Sequence, residues 1–188
     1  MLAFTGFDSS TGVISDTVEQ YKHHAVREEV DLGIKLLAVT GVLAAHDTDG
    51  QPRFLIGKRS PSTHRYGNQW EFGPCGGIDV PAQDINALVF DAIVGELGRE
   101  AMEEAGIDLS GATPSPIALV HDDAVGSVDI AILVELAEIP QTESSWEYVD
   151  QAWVTLAELV QRIESRPDQF IPTTGAIAQM LAARSDYD

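Results

Sequence analysis

The chain has 188 residues, 44% of them hydrophobic, which suits one domain over residues 1–188 with a single buried core. Thirty acidic residues against eleven basic ones give a net charge of −19, a balance that repels nucleic acid and anionic membranes, so neither is expected as a partner. A single cysteine, Cys75, excludes an internal disulfide framework and a cysteine-based zinc cluster.

The opening MLAFTGFDSSTG has no basic segment leading into an apolar one, and no run is long enough to cross a bilayer, so the expected location is cytoplasmic. DTVEQYKHHAVREEVD predicts a surface helix, and residues 1–32 as a whole form an N-terminal extension packed on the domain. IKLLAVTGVLAA reads as a buried strand; the turn HDTDGQP follows, and RFLIGKRS returns as its hairpin partner. Arg53, Lys58, Arg59 and Arg65, four of the eleven cations, fall within thirteen residues and concentrate positive charge for an anionic ligand. QWEF is a short strand running into a glycine turn, GPCGG. From Asp84 to Ala105 the pattern is helical, with a break expected near Gly95 and Gly98 and a C-terminal cap at Gly106. PIALV and VDIAILVEL flank the turn HDDAVGS, and AWVTL is a final strand. Two helices close the chain, TLAELVQRIES with Thr155 as N-cap and TTGAIAQMLAARS with Thr173 or Thr174. This order implies an α/β fold with a mixed sheet covered by helices on both faces.

The sharpest chemical signal is REAMEEAGI. At about 100° per residue, Glu100, Glu103 and Glu104 share one sector of a helix, and Glu96 lies one turn earlier on the same side. Carboxylates so placed repel one another unless a hard divalent cation sits between them. An ordinary solvated helix face is the competing reading.

REAMEEAGI also resembles the second half of the signature of the Nudix superfamily, Arg-Glu-apolar-any-Glu-Glu-any-Gly-apolar, at every fixed position. GVL, GKRS, WEF before a glycine pair and WVTLAEL extend the resemblance over roughly residues 35–162. It implies a Nudix-like α/β/α sandwich and a hydrolase acting on acid anhydrides: a Mg²⁺- or Mn²⁺-dependent pyrophosphohydrolase of a nucleoside-diphosphate-linked or related small molecule. By resemblance Glu100, Glu103 and Glu104 hold metal, Arg99 orients a neighbouring carboxylate, and Gly77 lets the backbone turn near the ligand. Glu147 is the candidate general base, with Glu143 second. Glu103 and Glu104 also belong to the catalytic set.

The first half of the signature departs from the pattern. Gly77 precedes Arg99 by twenty-two residues where the family has fourteen, which defines an insertion over residues 78–95. The expected first glutamate falls on Asp91 counting back from Arg99, or on Gln83 counting forward from Gly77; Glu96 competes as the additional metal ligand. The insertion is read as an extra packing helix, with a lid or a homodimer contact as the alternatives. Arg59 and Arg65 are candidate substrate ligands, surface pairing being the other reading for Arg59. The missing glutamate motivates a second functional reading, a non-hydrolytic ligand-binding or regulatory module. Metal-assisted isomerisation would need a reactive cysteine, and Cys75 has no legible histidine partner.

Overall fold

The structure is a computed structural model; it describes residues 35–63, 65–78 and 89–184, together with the backbone pairing of short strands at 2–3, 7–8 and 13–14. The helix expected over DTVEQYKHHAVREEVD, and the Gln83 alternative, lie outside the described residues. Three two-residue strands come first: β1 (Leu2–Ala3), β2 (Phe7–Asp8) and β3 (Val13–Ile14). The sheet is then built by β4 (Lys35–His46), β5 (Pro52–Arg59), β6 (Trp70–Phe72) and β7 (Cys75–Gly77). Helix α1 (Phe90–Ala105) follows, then β8 (Thr113–Asp122), β9 (Ser127–Leu136) and β10 (Tyr148–Val154). The described chain closes with α2 (Leu156–Ser165), a 3₁₀ turn at Pro167–Gln169 and α3 (Pro172–Ala182).

β4 is the central strand of a mixed sheet ordered β10-β5-β4-β9-β8. It runs parallel to β9 from Leu36 to Ala45, while its other edge is shared by β7 at Ala38–Thr40 and β5 at Ala44–His46, both antiparallel. The expected β4–β5 hairpin is therefore present but short. Strand β4 is apolar on both faces, and odd positions Leu37, Val39 and Leu43 face one layer while Val42 and Ala44 face the other. The odd-numbered layer packs on Ile93, Leu97, Ala101 and Ala105 of α1; the other packs on Leu156 and Leu159 of α2 and Ile177 and Leu181 of α3. Helices on both faces make the α/β/α sandwich that the sequence implies.

Three local expectations are corrected. GPCGG does not turn throughout, because Cys75–Gly77 is held extended by antiparallel pairing with Ala38–Thr40. Gly77 thus sits in a strand, opposite Ala38. Helix α1 runs unbroken through Gly95 and Gly98. Its buried stripe of Ile93, Leu97, Ala101 and Ala105 spans both glycines, and tertiary packing outweighs the roughly 1 kcal/mol that each glycine costs. Residues 90–95, assigned to the insertion from sequence, form its first turns. Finally, α3 begins at Pro172 with Ile171 as N-cap rather than at a threonine: proline suits the first helical position, where no N–H is needed. Thr174 is buried instead and accepts a hydrogen bond from the Phe72 N–H at 3.0 Å. The cap expectations at Gly106, with φ of 67°, and at Thr155, whose side chain accepts from Glu158 N–H, are met.

Candidate functional site

The acidic helix packs across β7 and splits its glutamates by depth. Glu96, Glu100 and Glu104 recur every four residues and form a row beside the buried stripe, with side-chain exposures of 17% and 12% for the first two and a residue exposure of 3% for Glu104. Glu103 stands outside that row, half exposed. Arg99 gathers the outer group: it pairs with Glu96, with Glu100 at 2.6 Å and with Glu103 at 2.9 Å. Asp91, nine residues before Glu100, lies exposed in the first turn of α1.

Glycine at position 76 makes the close approach between α1 and β7. A Cβ built there would fall inside the Glu100 carboxylate, so any larger residue would displace the Glu100 side chain. One residue earlier, the Cys75 N–H donates to Glu104 Oε2 at 2.9 Å. Glu104 Oε1 is buried and, among the described residues, has no hydrogen-bond partner. Such an oxygen costs about 1–3 kcal/mol if it stays unsatisfied.

Glu71, Glu100 and Glu147 lie within electrostatic reach of Glu104 in a largely buried cluster, and the Arg59 guanidinium answers Glu71 and Glu147 from the sheet side. Strand register brings the parts together: Glu71 pairs opposite Gly57 and Tyr148 opposite Arg59, so β6 and β10 place Glu71, Tyr148 and the adjoining Glu147 around the end of β5. Arg59 Nη1 donates to Glu71 Oε1 at 2.5 Å and Nη2 reaches Glu147 Oε1 at 3.0 Å. The Tyr148 hydroxyl donates to the same Glu71 oxygen at 2.9 Å. Gly57 leaves room for the Tyr148 ring, whose atoms would lie 2.7 Å from a Cβ there.

The electrostatics follow from burial. Desolvation pushes the Glu104 carboxyl well above its ordinary range, and Glu147, Glu100 and Glu71 push it further in the same direction, against the Cys75 N–H. Glu100 is raised from 4.5 to about 7 by burial, which Arg99 counters and Glu96, Glu147 and Glu103 reinforce. Burial also raises Glu71, with Arg59 and Tyr148 opposing. The Cys75 thiol, pushed up by burial and then by Glu71 and Glu104, is the poor nucleophile expected of a small buried residue. Its Sγ lies 3.8 Å from both Arg59 Nη1 and the Tyr148 hydroxyl.

Of the candidates read from the sequence, Glu100 and Glu147 lie within electrostatic reach of Glu104, while Glu96 and Glu103 share Arg99 nearer the surface. Glu143 does not join them: its side chain packs on Gly106 at the end of α1, and its N–H caps the Ala105 carbonyl at 2.9 Å. Arg59 is paired, but in the interior rather than at the surface. Arg65 is exposed, and its carbonyl receives the Arg59 Nε–H at 3.2 Å. Sequence reasoning missed Glu71 and Tyr148; the signal for Glu71 was a carboxylate between the apolar residues Trp70 and Phe72. Trp70 packs against the core beside α2 and α3.

Among the described residues no group of three or more acidic, cysteine or histidine side chains is arranged to hold a metal ion. The donor set nonetheless suits a hard divalent cation. Glu104 has an unpartnered buried oxygen, Glu100 lies one helical turn away within electrostatic reach, and a cation would relieve the mutual repulsion that raises both carboxyls.

No family model matches the chain, and no curated protein matches it in sequence. Solved structures do. A Nudix hydrolase from Alicyclobacillus acidocaldarius aligns with a TM-score of 0.63 at 14% identity, over 80% of this chain and 92% of that one. The Nudix domain of Shewanella oneidensis NrtR, complexed with ADP ribose, aligns with 0.59 at 17% identity over 86% and 97%. An Ap4A hydrolase from C. elegans, in a binary complex, aligns with 0.56 at 18% identity over 79% and 96%. At such identities the likeness establishes a shared fold.

Proposed function

We propose that this chain, which has the Nudix fold, is a divalent-metal-dependent hydrolase that cleaves a phosphoanhydride bond in a nucleoside-diphosphate-linked or related small molecule. The observation that carries this reading is the buried Glu104 oxygen, partnerless among the described residues, within electrostatic reach of Glu100, Glu71 and Glu147. Glu100 and Glu104 are the inner ligands for Mg²⁺ or Mn²⁺; Glu103 and Glu96 complete the set at the rim, where Arg99 holds them in reach. A bound divalent cation supplies polarised phosphoryl oxygens and an acidified water. Glu147, paired with Arg59, is the proposed general base. Arg65 and the backbone at Gly77 are the proposed substrate contacts, while Arg59 is held by Glu71 and Glu147. Two structural neighbours, an Ap4A hydrolase and a Nudix domain complexed with ADP ribose, support a nucleoside-diphosphate-linked molecule as the substrate class.

Mg²⁺-dependent cleavage, followed by chromatography of the phosphorylated products over dinucleoside polyphosphates, nucleotide sugars and prenyl diphosphates, tests the proposal. Turnover of at least one of them is expected, abolished in Glu104→Gln and lowered in Glu103→Gln. Tight, metal-dependent binding with no turnover across the panel would instead favour a ligand-binding module, the reading motivated by the missing first glutamate and the insertion before α1.

A further inference from the structure

Arg59 is committed on three sides. Its Nη1 is bound by Glu71, its Nε by the Arg65 carbonyl and its Nη2 by Glu147, and its side chain is only 14% exposed. Glu71 cannot readily exchange this partner, because it is buried and its Oε1 is also fixed by the Tyr148 hydroxyl. Separating such a pair would leave a carboxylate uncompensated in the interior. Glu147, by contrast, sits on the loop immediately before β10, and its carboxylate has one oxygen on Arg59 and a second that makes no hydrogen bond among the described residues. The backbone reinforces the arrangement: Ser60 N–H donates to the Glu147 carbonyl at 2.6 Å, and the Ser145 hydroxyl receives Tyr148 N–H at 3.0 Å.

We infer that Arg59 is a positioning residue for Glu147: anchored by the buried Glu71–Tyr148 pair, it fixes one carboxylate oxygen and leaves the other free to accept a proton. The guanidinium is planar and holds its donors in a fixed fork, so anchoring one end orients the other. Lysine, a point charge on a flexible stem, would not transmit that orientation. The inference rests on the assignment of Glu147 as general base and goes beyond it, since it removes Arg59 from the substrate-binding set and recruits Glu71 and Tyr148 to catalysis.

A mutant cycle on the full chain with Mg²⁺ tests it, using the diphosphate turned over fastest. Arg59→Met alone leaves Glu71 unpaired and threatens folding, so the working variant is Arg59→Met with Glu71→Gln, its folding checked by thermal unfolding. Loss of orientation is expected to lower kcat by about 10- to 100-fold with KM unchanged. In a Glu147→Gln background the same pair of substitutions is expected to change kcat by less than about threefold, because residues acting as one unit are non-additive. Arg59→Lys is expected to behave like the methionine variant. A rise in KM with kcat preserved would overturn the inference in favour of direct substrate contact, and an equal loss in the Glu147→Gln background would overturn it in favour of an independent role. Full turnover in Glu147→Gln alone would instead remove Glu147 as the base and take the inference with it.

Discussion

The raised Glu100 carboxyl makes a prediction whose sign separates a metal site from an ordinary acidic helix face. In the unfolded chain Glu100 ionises near 4.5; in the folded, metal-free chain burial moves this to about 7. Between those values the folded state keeps a proton that the unfolded state has lost, so rising pH favours unfolding. At about 1.4 kcal/mol per pH unit, the penalty reaches up to roughly 3 kcal/mol by pH 7 and stays level above it. Other carboxylates titrate in the same window, so the quantity to measure is the difference between the parent chain and Glu100→Gln, from urea unfolding in EDTA at pH 4 to 8. Relative to its value at pH 4, the glutamine variant should gain on the parent through pH 4.5–7 by as much as about 3 kcal/mol. Saturating Mn²⁺ should erase most of that gain, since an ion bound to the carboxylate stabilises the folded parent by mass action. A difference that is flat with pH, or that turns against the glutamine variant as pH rises, would refute the reasoning.

The other predictions concern the parts that shape the pocket. Gly76→Ala places a methyl group inside the Glu100 carboxylate, so Mn²⁺ affinity measured by calorimetry should fall at least tenfold; unchanged affinity would mean that Glu100 has room to move without consequence. Tyr148→Phe removes a donor from the buried Glu71 and should cost about 1–3 kcal/mol in urea unfolding, with kcat reduced as well. Thr155→Ala removes the N-cap of α2 and should cost about 1 kcal/mol while leaving turnover at the parent value, a control for stability loss outside the site.

The legible parts of this molecule are those governed by local periodicity. Strands β4, β5 and β9, the acidic helix and the caps at Gly106 and Thr155 follow from hydrophobic spacing and a few residue types. The site was legible only where it lies on one element: the spacing of Glu96, Glu100 and Glu104 is visible in the sequence, whereas their unequal depth is not. Sector arithmetic grouped Glu103 with Glu100 and Glu104, but packing against β7 buries the row that ends at Glu104 and leaves Glu103 outside. Glu71, Arg59 and Tyr148 meet because three strands pair in one register, a long-range outcome that no window of sequence contains. The same applies to Cys75–Gly77, where glycines that suggest a turn are drawn straight by β4. Helix α1 shows the converse failure, since two glycines of low helix propensity are overruled by four buried apolar residues at fourfold spacing.

The central claim, that the buried Glu104 carboxylate and its neighbour Glu100 hold a divalent cation, is tested most directly by titrating Mn²⁺ into the full chain and following free ion by electron paramagnetic resonance. Saturable binding to the parent is predicted, lost in Glu104→Gln and retained in Glu143→Gln, whose side chain packs at Gly106 outside the pocket. Equal binding by the parent and Glu104→Gln would contradict the account.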